Sequence, residues 1–166
     1  MAVVSSGHIT QKAHPLDLVE EAIATREWAL DRPKRDELLV EVTGRWCHYQ
    51  VFFHWSNDIG ALQISCVLDL RSPEQSKALI YELLALVNDR LGIGHFHIDS
   101  IEGLPAYRHT LLLRGGTLSA EQVEDLLDIA LHETDRFYPA FQYVIWGGQT
   151  PINAIATVAF ETVGEA

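Results

Sequence analysis

Hydrophobic residues recur along this chain with two different periods, and the switches between them divide it into elements. Leu16, Val19, Ala22 and Ile23 fall at helical spacing after His14-Pro15. Pro15 suits the first helical position, where an amide hydrogen would have no partner anyway. The helical pattern fades near Trp28, and Asp31-Arg32-Pro33-Lys34 reads as a loop. From Glu37 to Thr43 the period drops to two, with Leu38, Val40 and Val42 on one side. Two further runs, Trp46 to Trp55 and Leu62 to Leu70, are rich in aromatic and branched residues and read as strands. The turn residues of Thr43-Gly44-Arg45 and of Ser56-Asn57-Asp58-Ile59-Gly60 join the three into an antiparallel meander.

The helical period then returns. Ser72-Pro73-Glu74-Gln75 predicts a capped start, with Ser72 as N-cap and Gln75 reaching back, for a helix that runs to about Leu91 and stops at Gly92. Its middle, Ala78 to Val87, is apolar nearly all round. A helix lying on a sheet needs one apolar stripe, so this one calls for a second cover, either another helix of the chain or a second subunit. Strands follow at Gly94 to Asp99 and Ala106 to Arg114. Ser119 and Gln122 then form a capping box, with Leu118 and Val123 placed as its hydrophobic staple. Val123, Leu126, Leu127, Ala130, Leu131, Phe137 and Tyr138 mark the face of that helix, which Pro139 should kink or end. Thr150-Pro151 opens a last helix with Ile152, Ile155, Ala156 and Phe160 inward. The predicted order is α-β-β-β-α-β-β-α-α, an α+β domain with helices on a single antiparallel sheet. It covers residues 14–166, preceded by a loose polar tail over 1–13.

The stretch Gly44 to Trp55, GRWCHYQVFFHW, holds two histidines and a cysteine among its aromatic residues. Alternation puts Cys47, Tyr49, Val51, Phe53 and Trp55 on one face, matched by Leu62, Ile64, Cys66, Leu68 and Leu70 of the next strand. That register sets Val51 opposite Cys66 and leaves Cys47 and Cys66 about four residues apart, roughly 13 Å at strand rise. A disulfide needs Cα atoms within about 7 Å, so both are expected as buried free thiols. The other face brings His48 opposite Asp69, and a first hairpin pairing Val42 with Cys47 adds Glu41 beside it. Such a histidine could be a general base or a pH-sensitive group, or one member of a cross-strand charge pair. His95 and His97, two apart on a strand with Asp99 continuing the row, are the other candidate, since two imidazoles and a carboxylate can hold a transition metal.

Composition changes the picture in two ways. A net charge of -11 argues against nucleic acid as a partner, because binding a phosphate backbone needs clustered Lys and Arg. The charge is also uneven: Glu121, Glu124, Asp125, Asp128, Glu133, Asp135, Glu161 and Glu165 face only Arg136 in residues 117–166. Two cysteines, no export signal and no long apolar run make the cytoplasm the expected compartment, with no membrane involvement. No phosphate loop, GxSxG or HExxH pattern occurs, so no enzyme activity and no cofactor are expected.

Six separated blocks then agree in order with one family. They are PLDLVEEAIA, VEVTGRWCHYQVFFHW, GALQISCVLDLR, YELLALVNDRLGIGHFHI, EGLPAYRHTLLLRGG, and DRFYPAFQYVIWGG with the ending ETVGEA. Together they resemble the bacterial YbjN-like family of sensory transduction regulators, from about residue 14 onward. The resemblance implies a fold similar to type III secretion chaperones. It also implies an interaction or regulatory role and dimerisation, often through the helix after the third strand. It brings no catalytic residues with it. Leu79, Leu83, Leu86 and Val87 on the greasy helix are accordingly the candidate contacts of a homodimer, whose further protein partner the sequence does not name. The alternative is a small metal-dependent enzyme or ligand-binding protein built on Glu41, His48, Asp69, His95 and His97.

Overall fold

The computed structural model describes residues 13–164, and the expected tail over 1–13 lies, apart from Ala13, outside the described residues. Helix α1 (Pro15–Ile23) leads into β1 (Ala29–Lys34), β2 (Glu37–Thr43), β3 (His48–Ser56) and β4 (Ala61–Val67). Helix α2 (Lys77–Asn88), strands β5 (His95–Ile98) and β6 (Pro105–Leu112), and helices α3 (Ala120–Ile145) and α4 (Pro151–Gly164) complete it. All six strands form one antiparallel sheet in the order β1-β2-β3-β4-β6-β5.

The sheet has one more strand than the expected order. Residues 29–34, expected as loop, form β1 at the sheet edge. The pairing slips between Asp31 and Lys34, and Pro33 sits in that irregular stretch. An edge strand tolerates a residue with no N–H to give, and an edge strand that buries almost nothing shows no alternation to detect.

Alternation sorts the strands into two faces. Leu38, Val40, Val42, Tyr49, Val51, Phe53, Leu62, Ile64, Cys66 and Tyr107 are buried beneath the helices. This row packs against α1 and α3. Leu16, Val19 and Ile23 hold α1 to it. Phe96 meets Tyr107, Phe137 and Phe141 at ring separations of 5.6, 5.9 and 5.3 Å, tying β5 and β6 to α3.

The helix starts divide. Ser119 and Gln122 form the expected capping box on α3, through Ser119 N–H to Gln122 Oε1 and Gln122 N–H to Ser119 Oγ. Ser72 does not cap α2. A short 3-10 turn over Glu74–Ser76 intervenes, α2 starts at Lys77, and the buried Ser72 hydroxyl has no hydrogen-bond partner among the described residues. Pro73 takes an extended backbone and carries the chain into that turn instead.

Pro139 does not end its helix. α3 runs through it to Ile145. A proline at this position leaves the carbonyl four residues earlier, that of Asp135, without its helical donor. The indole Nε1–H of Trp46 donates to that carbonyl at 2.8 Å. The Asp135 carboxylate reaches the same hairpin, accepting from the Arg45 amide at 2.9 Å and from the Tyr49 hydroxyl at 2.8 Å. Trp46 stacks on Tyr138, and the Arg45 guanidinium lies over the Trp46 ring. The tip of the β2–β3 hairpin is thus bolted to the middle of α3.

This docking corrects the predicted register. The turn spans Gly44 to Cys47, closed by the Gly44 N–H to the Cys47 carbonyl at 2.9 Å. Val42 therefore pairs with Tyr49 rather than Cys47. Gly44 lies against the Tyr49 ring, where a Cβ would collide with Cε2, so the wider turn requires glycine there. A shift of two residues keeps every side chain on its expected face, and Val51 does oppose Cys66. Both cysteines are free, but Cys47 sits in the turn and is only half-buried while Cys66 is fully buried.

Candidate functional site

The helices cover one face of the sheet and leave the other open. Along β3 the outward residues are His48, Gln50, Phe52 and His54, beside Glu41 and Leu39 of β2, Ser65 and Val67 of β4, Ala106 and Arg108 of β6, and His95 and His97 of β5. The β5–β6 connection rises over one end of this face. It is closed by the Asp99 N–H to the Leu104 carbonyl and by the Glu102 N–H to the Asp99 carboxylate.

Two depressions meet under that connection. One, about 390 Å³, is lined by Glu41, His48, Asp69, Arg71, Gln50 and Glu102, among others. The second, about 330 Å³, shares Gln50, Val67, Glu102 and Leu104 with it and adds His97, Asp99, Arg108, Ser65 and Phe52. The structure therefore does gather Glu41, His48 and Asp69. It does so differently from the sequence pairing, because Glu41 lies opposite Gln50 while His48 pairs with Thr43, whose hydroxyl is 3.3 Å from Nδ1. Arg108 and Phe52 escaped the sequence reading, although extending the two-residue alternation into β6 would have put Arg108 in this row.

His95 and His97 do point the same way, with ring centres 6.0 Å apart. Asp99 does not continue their row as a free ligand, since its carboxylate holds the turn. His97 is half-buried, and burial, with Arg108 behind it, holds its pKa below the ordinary histidine value. Among the described residues no three His, Cys, Asp or Glu side chains converge closely enough to hold a metal ion.

The candidate contact helix α2 is covered on one side by its own chain and leaves Ala78, Leu79, Tyr81 and Ala85 exposed on the other. It packs on α4, α3 and β5. Leu83 and Val87 are fully buried in the protomer core, so neither is free to meet a partner; Leu86 is half-buried, and Leu79 is exposed. Helix α4, together with α3, supplies the cover for the inner side of α2.

Helix α4 in turn leaves an apolar side uncovered. Ile152, Ile155, Ala156 and Phe160 were all expected inward, but the buried positions are Pro151, Ala154, Ile155 and Val158. Ile152 is 65% exposed and Phe160 78% exposed, with Ala156 between them on the same outer stripe. Both stripes of α4 are apolar, so periodicity alone could not tell which one packs on α2 and α3. Trp146, at the end of α3, is 63% exposed.

Among the described residues no helix is long and apolar enough to cross a membrane. A family model matches residues 15–143, that of YbjN, "Putative bacterial sensory transduction regulator". A comparison with curated proteins gives no match. Among solved structures, the chain is similar to YbjN from E. coli, described as "a putative transcription regulator", with a TM-score of 0.53 and 9% identity over 72% of this chain and 85% of that one. It also resembles a chain of the ExsC-ExsE complex, with a TM-score of 0.45 and 15% identity over 72% and 90%.

Proposed function

Given that this chain belongs to the YbjN family, we propose that it is a non-catalytic interaction and regulatory domain of the cytoplasm that works as a homodimer. The observation that carries this reading is the outer stripe of α4. A helix whose two sides are both apolar leaves Ile152 and Phe160 in water, where a partner surface would shield them. A second copy suits the stripe. Each copy carries a net charge of -11, so a stable pair must meet where charge is absent, and residues 151–160 contain no charged side chain. Leu79 and Leu86 of α2 are the remaining candidates at the margin of that contact. A regulator of this kind acts by binding another protein, for which the open sheet face offers a shallow, mainly apolar groove lined by Phe52, Val67 and Leu104.

Light scattering coupled to size exclusion tests the dimer. The expected mass is twice 18.6 kDa, and Ile152→Glu with Phe160→Glu should give a folded monomer. A wild-type monomer at tens of micromolar would overturn the dimer. Stoichiometric metal in the purified protein, lost in His95→Ala, would overturn the non-catalytic reading in favour of the metal-dependent alternative.

A further inference from the structure

His14 sits where two hydrogen-bond donors converge on one imidazole nitrogen. It is the N-cap of α1, and its Nδ1 accepts the Leu16 amide at 3.2 Å. The guanidinium of Arg32 brings Nη2 to 3.3 Å from the same atom. An imidazole nitrogen can accept only while it carries no proton, so this arrangement fixes the neutral ring with its hydrogen on Nε2.

Arg32 is itself a clip. From β1 it reaches the Asp17 carboxylate at 2.7 Å and Glu20 at 3.2 Å on α1. Its Nε and Nη2 also donate to the Arg35 carbonyl in the β1–β2 turn. One side chain therefore joins α1, the edge strand and the turn, and the ring of His14 completes the joint. His14, Asp17 and Arg32 also line a cavity of about 820 Å³, together with Leu18, Arg35 and Trp55.

We propose that this junction is a proton-sensitive cap: protonating Nδ1 of His14 removes the acceptor that both donors share, uncaps the first turn of α1 and breaks the contact between His14 and Arg32 at the wall of the adjoining cavity, while Asp17 and Glu20 keep Arg32 on the helix. The charged groups around the ring set the balance. Arg32 of β1 and Arg35 of the turn oppose a second positive charge, while Asp17 of α1 and Asp36 of the turn favour it; Glu20 of α1 is engaged by Arg32. Burial, then Arg32, holds the His14 pKa below its ordinary value. An unfolded chain therefore takes up the proton first as pH falls. The stabilisation from neutral His14 is complete above the ordinary value of 6.5 and is lost as pH drops from there through the lowered folded value.

Nitrogen NMR of the imidazole and amide hydrogen exchange on the full chain test this. At pH 7.5 the His14 Nδ1 should show the shift of an unprotonated nitrogen. Protection of the Leu16 amide, corrected for intrinsic exchange, should fall about fivefold on acidification to pH 5, in step with His14 titration, as expected for loss of an N-cap. Asparagine caps helices without titrating, so His14→Asn should hold its protection at both pH values. His14→Ala should already be at the low level at pH 7.5. A protonated Nδ1 at pH 7.5, or an equal acid-induced loss in wild type and His14→Asn, would overturn the proposal.

Discussion

Tyr49, Val51 and Phe53 alternate along β3 with His48, Gln50, Phe52 and His54, so the two sets share one backbone and differ only in what lies above them. The first set is sealed under α1 and α3, while the second meets water and a shallow groove. The difference teaches that position, and not residue type, sets the role of an aromatic side chain here. Phe52 and Phe53 are neighbours in sequence, yet one is 38% exposed and the other 1%.

Replacing each by alanine is the sharpest way to break this comparison. Phe53→Ala should cost roughly 3–5 kcal/mol, since it leaves a cavity in a packed layer. Phe52→Ala should cost under about 1 kcal/mol while changing what the open face can bind. Equal losses in urea denaturation would mean that the open face is covered in solution. A smaller effect is expected where the covered face meets the hairpin. Asp135→Ala removes the acceptor of the Arg45 amide and strands the Tyr49 hydroxyl, a loss of about 2 kcal/mol measured the same way. Burial, and then the hydrogen bond to that carboxylate, pushes the Tyr49 pKa far above the usual phenol range, so the hydroxyl stays a donor at any physiological pH. The smallest change is a difference in rate. Burial pushes the Cys66 thiol up to about 12, and the Cys47 thiol is raised less. An aromatic disulfide reagent should label Cys47 first and reach Cys66 only when the protein unfolds. Rapid modification of both would deny that the covered face is closed.

The same contrast explains what could be read in advance. Where one face is buried, alternation is written into the chain, and Leu38 to Val42 and Leu62 to Cys66 announced both their strands and their inward rows, although the second strand ends at Val67 and not at Leu70. The edge strand β1 buries almost nothing, so it left no pattern. The start of α2 misled because Ser72-Pro73 has the composition of a cap but leads into a 3-10 turn. The outward stripe of α4 was illegible because both of its sides are apolar and only packing chooses between them. Glu41, His48 and Asp69 were legible as neighbours because the true register differs from the expected one by only two residues, which moves Glu41 from His48 to the next outward position, Gln50. Their exact pairing was not, since it depends on a turn held by α3, a contact between residues far apart in the chain.

Pro139 gives that turn its address. A helical carbonyl is normally spoken for by the amide one turn later, so it cannot recognise anything else; by withholding that amide, the proline cuts a single notch in an otherwise uniform rod. Trp46 is the tooth that fits it, which makes positions 46 and 139 one mechanical part. Restoring an amide with Pro139→Ala would close the notch and leave the indole with nowhere to hang, even though every apolar contact of the helix could remain.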